Sequence, residues 1–373
     1  MRIVVALSGG VDSAVAAARL VRDGADVVAV HYRTGVAAED PAAPVRARSC
    51  CGVDDARDAR AVAARLGVPF YVVDVSDAFR RDVLGAFVAE YAAGRTPNPC
   101  IACNQHVKFG RIEEFARAVG AEAVATGHYA RTVARPGAPT RLLRATDPTK
   151  DQTYVLYGLS EAQRARARFP LGGTTKAAVR AEARASGLPV ADKPDSQELC
   201  FVPSGDHRAV LFDLDPSLRR PGPVVDASGL EVGRHDGAAG FTLGQRKGLG
   251  VTGPAPVHVI DVRPADDVVV VGPRATLDRR VVWTGPLHWV DVEPADGAAR
   301  SPWRVEVRIR HAAAPVAATL DVAADGTGRV VFDEPVFAPA PGQALVAYVG
   351  DAVLAGAPIV RSAADAPPRA GPA

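Results

Sequence analysis

The stretch Ser8-Gly9-Gly10-Val11-Asp12-Ser13 follows a short apolar run and opens a helical pattern. Glycines let a backbone approach an anion closely. A helix N-terminus adds N–H donors and a favourable dipole, and two serines add hydroxyls, so the chemistry implied is phosphate binding. The pattern is neither GxxxxGK nor GxGxxG. The bland reading is a Gly-rich strand-to-helix turn with Asp12 in the first helical turn. A second chemical stretch is Gly94-Arg95-Thr96-Pro97-Asn98-Pro99-Cys100-Ile101-Ala102-Cys103-Asn104, followed by Lys108-Phe109-Gly110. Its prolines fix a rigid loop before a CxxC. A helix beginning near Cys103, with Lys108, would favour a thiolate. Nucleophile, redox pair, metal ligand and inert buried thiol all remain open for these cysteines. A third stretch, Lys193-Pro194-Asp195-Ser196-Gln197-Glu198-Leu199-Cys200-Phe201, carries one cysteine after a polar run. A lone cysteine is more often packing than catalysis.

The elements that must position these residues alternate in type. Ile3–Leu7, Val27–Tyr32, Phe70–Val75 and Ala123–Thr126 read as strands. Asp12–Arg22, a segment from a capping Asp54 to Leu66, and Asp77–Ala92 read as helices, with Gly24 and Gly67 as stops. Such alternation predicts an α/β fold with a doubly wound parallel sheet, which binds ligands beyond the carboxyl ends of its strands. From about Pro203 the helical period fades. Val257–Val262, Asp267–Val271, Trp303–Ile309 and Ala344–Val349 are short Val-rich runs between Gly, Pro and Asp, the pattern of a barrel of short strands. The expected organisation is therefore an α/β domain at 1–205, a small mixed module at 206–275, a C-terminal all-β barrel at 276–361 and a disordered tail at 362–373.

Composition narrows the class. The 373 residues are 48% hydrophobic and 23% charged with a net charge of +2, which excludes wholesale disorder. No apolar run reaches the length of a membrane span, and MRIVVALSGG does not read as a signal peptide. Five cysteines do not make a disulfide scaffold and fit a cytosolic protein. Of 44 basic residues only five are lysines: Lys108, Lys150, Lys176, Lys193 and Lys247. In so Arg-rich a background, a surviving lysine points weakly to a need for a compact ammonium. The adjacent Cys50 and Cys51 read as packing or surface thiols. His106, His207, His258, His288 and His311 show no metal spacing. The Arg-rich stretch Glu161–Arg168 and the basic Arg308-Ile309-Arg310-His311 are candidate RNA surfaces, against the alternative of solvated faces.

SGGVDS resembles the PP-loop of ATP pyrophosphatases. With GRTPNPCxxCN, Ala125–Ala130 (ATGHYA), Lys150-Asp151-Gln152, Phe169–Gly172 (FPLG), KPDSQELCF, Phe241–Gly250 (FTLGQRKGLG) and Pro341-Gly342-Gln343, the chain is similar to the tRNA-specific 2-thiouridylases from SGGVDS to about Ile359. The resemblance implies a PP-loop, adenine nucleotide alpha-hydrolase-like fold. It also implies an ATP- and Mg²⁺-dependent sulfurtransferase that adenylates O2 of a tRNA wobble uridine and replaces it with persulfide sulfur, releasing AMP and pyrophosphate. On that basis Cys200 carries the persulfide, and Cys103 resolves it and can pair with Cys200 in a disulfide. Ala6, Leu7, Ser8, Gly9, Gly10, Val11, Asp12 and Ser13 hold ATP, with Tyr32 and Gly127 flanking adenosine. Asn98, Pro99 and Cys100 surround the target base. His128, Lys150, Asp151, Gln152, Arg308, Ile309 and Gln343 contact tRNA. Partners would be tRNA and a persulfide-donating protein, either a cysteine desulfurase or a sulfur carrier, with no membrane.

Many members have Asp where this chain has Cys100, and that Asp is suited to acid/base work near the uridine. Cys100, Cys103 and Cys200 together could instead hold an iron–sulfur cluster with one open iron. Two rivals remain from the sequence: an amide-forming PP-loop synthetase, which leaves the cysteines unused, and a non-catalytic metal-containing RNA-binding protein, which leaves the phosphate loop unused.

Overall fold

The computed structural model describes residues 1–35, 52–194, 199–202, 205–251, 256–291 and 302–364. They fall into two units. The first holds residues 1–85, 99–207 and 351–353, and the second holds residues 86–98, 208–350 and those from 354 onward.

The first unit is built on a parallel sheet. Its strands are β1 (Arg2–Ala6), β2 (Asp26–Arg33), β3 (Phe70–Asp74), β4 (Ala123–Ala125) and the two-residue strand Ala167–Arg168. They lie in the order β3-β2-β1-β4 followed by Ala167–Arg168, and every pairing is parallel. Val4 pairs with Val28 on one side and Val124 on the other. Ile3, Val4 and Val5 are all buried, as a central strand covered on both faces requires. The chain winds from β1 out to β3 and then returns to β4 on the other side of β1. The carboxyl ends of β1 and β4 therefore form the switch point where such sheets bind ligands.

The expected strands hold to within about a residue at each end. Helix α1 (Val11–Arg22) starts at Gly10 with no side-chain cap and stops before Gly24, whose φ is +79°. Helix α2 (Val53–Leu66) departs from expectation at its start. Its N-cap is Gly52, whose N–H donates to the Asp55 carboxylate at 3.4 Å, and Asp54 is not the cap. Gly67 ends it in the left-handed conformation. The helix expected over Asp77–Ala92 runs as Ser76–Phe79, a widened π-type stretch Arg80–Leu84, and Gly85–Ala92. Arg19 and Arg22 of α1 bond Glu182 of the helix Lys176–Ala185 at 2.6 and 2.9 Å.

The second unit contains a four-stranded sheet in the order His258–Arg263, Val268–Gly272, Gly222–Val225, Glu231–His235. Val224, Phe241, Leu249, Val259, Val269 and Val271 fill its core. It also contains a closed antiparallel barrel of Asp278–Pro286, Thr327–Phe337, Val316–Val322, Trp303–Arg308, Ala344–Val349 and Ala352–Ala363, with the first strand pairing the last. Closure leaves no open edge. Ser362 and Ala363 belong to that last strand rather than to a tail, and residues 365–373 lie outside the described ones.

Two tests follow from this packing. A Cβ on Gly172 would lie 1.8 Å from the Ala130 carbonyl oxygen, whereas one on Gly173 meets nothing within 4 Å. Gly172→Ala should cost about 3 kcal/mol or more in urea unfolding, with Gly173→Ala near neutral. The hydrogen bond from Arg19, supported by Arg22, holds the Glu182 carboxyl below its usual range. Its stabilisation is complete above the unfolded value of 4.5 and declines as pH falls below it, so Glu182→Gln should flatten the acid limb of the stability–pH curve.

Candidate functional site

The turn after β1 is braced from within. The Ser8 N–H donates to Ser13 Oγ at 3.1 Å, and Ser13 Oγ donates to the Gly10 carbonyl at 3.0 Å. The two hydroxyls lie 3.2 Å apart. Ser13 Oγ thus shapes the loop from within. His31 on β2 donates from Nδ1 to the Leu7 carbonyl at 2.9 Å and steadies the strand end that leads into Ser8.

Glycine is required twice here. Gly9 has φ +74°, and a Cβ there would come 2.5 Å from the Asp55 carbonyl oxygen. A Cβ on Gly127, just after β4, would come 2.6 Å from the Ser13 nitrogen. The ATGHYA loop therefore lies directly against the N-terminus of α1. These are the features of a phosphate cradle: a left-handed glycine, an uncapped helix N-terminus and a second backbone close by.

Two lysines hold the cradle. Lys176 Nζ donates to both oxygens of Asp12 at 2.7 Å, and the Tyr129 hydroxyl donates to the same carboxylate at 2.8 Å. Lys176 opens its own helix, where its N–H is received by Asp147 at 3.0 Å. Lys193 Nζ donates to the Gly9 carbonyl at 2.9 Å, to Asp55 at 2.7 Å and to Asp58 at 2.5 Å. Burial pulls the Lys193 ammonium down, but its bonds to the two carboxylates outweigh this and leave it above the ordinary lysine value. It is charged throughout the neutral range.

The comparisons with known proteins identify the chain that carries this cradle. Residues 1–204 match the family model described as the tRNA methyl transferase HUP domain, 216–273 its PRC-barrel domain, and 279–359 the aminomethyltransferase beta-barrel domain. The tRNA-specific 2-thiouridylase MnmA of Streptomyces avermitilis is 44% identical over 371 residues, covering 96% of this chain and 94% of the relative. That of Beutenbergia cavernae is 46% identical over 388 residues, covering 98% and 96%. The chain belongs to the tRNA-specific 2-thiouridylase family. Among solved structures, a 4-thiouridine synthetase–RNA complex with bound ATP is 18% identical, with a TM-score of 0.32 over 58% of this chain and 50% of that one.

The remaining 2-thiouridylase candidates divide by position. Cys100 lies in the first turn of a helix that begins at Pro99, and Cys103 lies one turn on, where π-type turns run through Arg111. The start expected near Cys103 is thus at Pro99, and Cys100 takes the place nearest the helix dipole. Cys103 is buried, while Cys100 and Cys200 are partly exposed. Leu199–Val202 forms a turn, closed by the Val202 N–H on the Leu199 carbonyl at 2.9 Å, and Phe201 packs edge-on against Phe79. Cys100, Cys103 and Cys200 do not converge as metal ligands: among the described residues no group of three or more His, Cys, Asp or Glu is arranged to hold an ion. Cys50, Cys51 and residues 195–198 lie outside the described residues.

His128 is buried, with Nδ1 2.7 Å from Thr126 Oγ1, in a cluster with the rings of Phe109 and Phe169. Asp151 is buried and receives Ala145 N–H and Thr153 Oγ1, and Gln152 Oε1 receives Tyr129 N–H. Gln152 therefore shapes the ATGHYA loop from behind, while Asp151 ties Ala145 to Thr153. Tyr32 is buried beside His31. In the Arg-rich stretch at 161–168, Arg166 and Arg168 stay partly exposed and Arg164 turns inward. Arg164 is 2% exposed and donates to the Thr140 and Leu159 carbonyls.

In the second unit, Gln343 Nε2 donates to the Thr96 and Pro97 carbonyls at 3.1 and 3.3 Å, and Thr96 N–H donates to Pro341 at 2.7 Å. The PGQ turn thus grips the stretch just before Asn98. Arg308 and Ile309 are buried in the barrel, with Arg308 over the Tyr348 ring.

Lys176, Asp55 and Asp58 carried no site role in the sequence reading. The scarcity of lysine was the signal that could have found Lys176. The two carboxylates had none, because nothing in a helix pattern marks which acidic residue faces a loop. Lys176→Met should destabilise the fold by about 2 kcal/mol and Tyr129→Phe by about 1.5 kcal/mol in urea unfolding, the double variant falling short of the sum because both serve one carboxylate.

Proposed function

We propose that this chain is an ATP-dependent sulfurtransferase that converts the wobble uridine of tRNA to 2-thiouridine. The observation that carries the reading is the lysine-braced phosphate cradle at the sheet's switch point, in a chain 44–46% identical to tRNA-specific 2-thiouridylases. The division of labour we propose is catalysis in 1–205, tRNA binding in 206–275 and a supporting barrel at 276–361.

The cradle fits ATP. Ala6 to Ser13 would hold the phosphates, with Tyr32 and Gly127 flanking adenosine. Mg²⁺ would arrive on those phosphates, since its usual site shares one or two carboxylates with the nucleotide rather than a protein cage. Uridine O2 attacks the α-phosphorus and pyrophosphate leaves, which turns a poor leaving group into AMP. The terminal sulfur of a Cys200 persulfide then attacks C2 and AMP departs, leaving a C2–S–S–Cys200 link. The Cys103 thiolate attacks the Cys200 sulfur, so the base keeps one sulfur and a Cys103–Cys200 disulfide forms, to be reduced by a thiol. A persulfide is strongly nucleophilic at neutral pH. We assign no step to an iron–sulfur cluster.

Asn98, Pro99 and Cys100 would line the target base, and His128, Lys150, Asp151, Gln152, Arg308, Ile309 and Gln343 would contact or shape the tRNA path. Asp151, Gln152 and Gln343 would do so by holding loops. The sulfur comes from a persulfide-donating protein, in a reducing cytosol where such thiols persist. The test is an anaerobic reaction with tRNA, Mg-ATP and a persulfide donor, read by nucleoside mass spectrometry. Cys200→Ser should abolish 2-thiouridine while tRNA binding is retained, and Cys103→Ser should leave sulfur attached between tRNA and protein. Normal thiolation by Cys200→Ser would refute the assignment.

A further inference from the structure

Lys193 stands where two parts of the first unit meet. Its ammonium touches three oxygens from two segments: the Gly9 carbonyl in the phosphate loop, and Asp55 and Asp58 on α2. Cys200 lies seven positions further along the same chain. The far end of that stretch is held by Phe201, buried against Phe79.

The geometry of the ammonium matters. Lysine has three N–H donors spread around one nitrogen, and here it has three acceptors converging on that nitrogen. A guanidinium is a flat fork suited to two parallel acceptors, and it does not match a carbonyl and two separate carboxylates around one point. The contact to Gly9 also has a directional consequence. In a planar trans peptide the C=O and the following N–H point in opposite directions. Holding the Gly9 carbonyl on Lys193 therefore turns the Gly10 N–H to the other side of the loop. Gly9 is left-handed and Gly10 caps α1, so that N–H joins the donors of the cradle.

We propose that Lys193 is a positioning residue that couples the nucleotide loop to the stretch bearing Cys200. It aims the Gly10 N–H for phosphate and anchors the start of the nucleophile's segment at the same point, so nucleotide binding and Cys200 exposure respond to each other. This rests on the reading of Cys200 as the persulfide carrier. Its test does not require thiolation, so the two can fail separately.

The test compares the full-length wild type with Lys193→Met, Lys193→Arg and Asp58→Asn. Two quantities are measured without tRNA: the affinity for α,β-methylene-ATP with Mg²⁺ by calorimetry, and the rate of Cys200 alkylation with and without that nucleotide, read by peptide mass spectrometry. In the wild type the nucleotide should change the alkylation rate. Lys193→Met should bind the nucleotide about tenfold more weakly, the size expected when the misaimed Gly10 N–H loses one hydrogen bond to a charged phosphate, and its alkylation rate should no longer respond. Lys193→Arg should resemble Met despite its charge, and Asp58→Asn, which keeps the Gly9 and Asp55 contacts, should fall between. Should Lys193→Met fail to fold, Asp58→Asn and Lys193→Arg decide the matter. The proposal is overturned if the wild-type alkylation rate ignores the nucleotide, if Lys193→Arg matches the wild type in both readings, or if folded variants weaken nucleotide binding but keep the wild-type alkylation response. Failure of Cys200→Ser to abolish thiolation would instead strike the functional reading and leave these measurements standing.

Discussion

The backbone at Gly9 runs against the Asp55 carbonyl with no space for a side-chain atom between them. Much of the first unit's active end depends on that approach. It places the first turn of α2 beside the phosphate loop, which brings Asp55 and Asp58 to where Lys193 can reach them. On the opposite flank the Gly127 backbone closes on Ser13. The loop is therefore held between two backbones, and its donors are oriented before any ligand arrives. Such preorganisation is what makes a phosphate site effective, because little reorganisation remains to be done on binding.

Charge is balanced with the same economy. A tetra-anionic ligand should avoid carboxylates, yet Asp12, Asp55 and Asp58 all lie at this loop. Lys176 and Tyr129 occupy both oxygens of Asp12, and Lys193 bridges the other two carboxylates. The acidic residues act here as internal ligands for lysines, and the lysines fix backbone in turn. The acids thus become part of the scaffold rather than a source of repulsion.

How much of this was legible in the sequence depended on whether a local rule or a distant partner decides the outcome. The strands, the switch-point site and the barrel follow from apolar period and turn chemistry, and these are local. Asp54 looked like a helix cap because Asp is a good one, but the helix begins at Gly52, whose N–H is received by the Asp55 carboxylate. The helix at Cys103 was misjudged because Pro99 can occupy a first helical turn, so the two prolines read as loop lie at its very entrance. The arginines of Glu161–Arg168 looked solvent-facing by composition. Arg164 is drawn inward by carbonyls that come from other parts of the chain. The scarcity of lysine carried more than expected: it pointed vaguely at Lys193 and Lys176, and only tertiary contacts show what each ammonium holds.

The same contrast explains why an Arg-rich chain keeps lysine in these two places. Elsewhere a carboxylate is gripped by an arginine fork. Arg95 gives Nε and Nη2 to the two oxygens of Glu90, and Arg19 gives the same two nitrogens to Oε2 of Glu182. A fork fits such partners, and a drift from Lys to Arg there costs nothing. At Gly9 the acceptors are a peptide carbonyl and two carboxylates that converge on one point. At Asp12 the cation must share one carboxylate with a tyrosine hydroxyl in a space only partly open to solvent. A planar guanidinium would have to leave donors unmatched or push the loop aside, and the loop cannot move because Gly9 and Gly127 already touch backbone. Lysine persists where the surrounding backbone is least able to yield. Lys247, by contrast, is exposed on the second unit with its carbonyl receiving Gln245 Nε2, and no such convergence of acceptors surrounds its ammonium among the described residues.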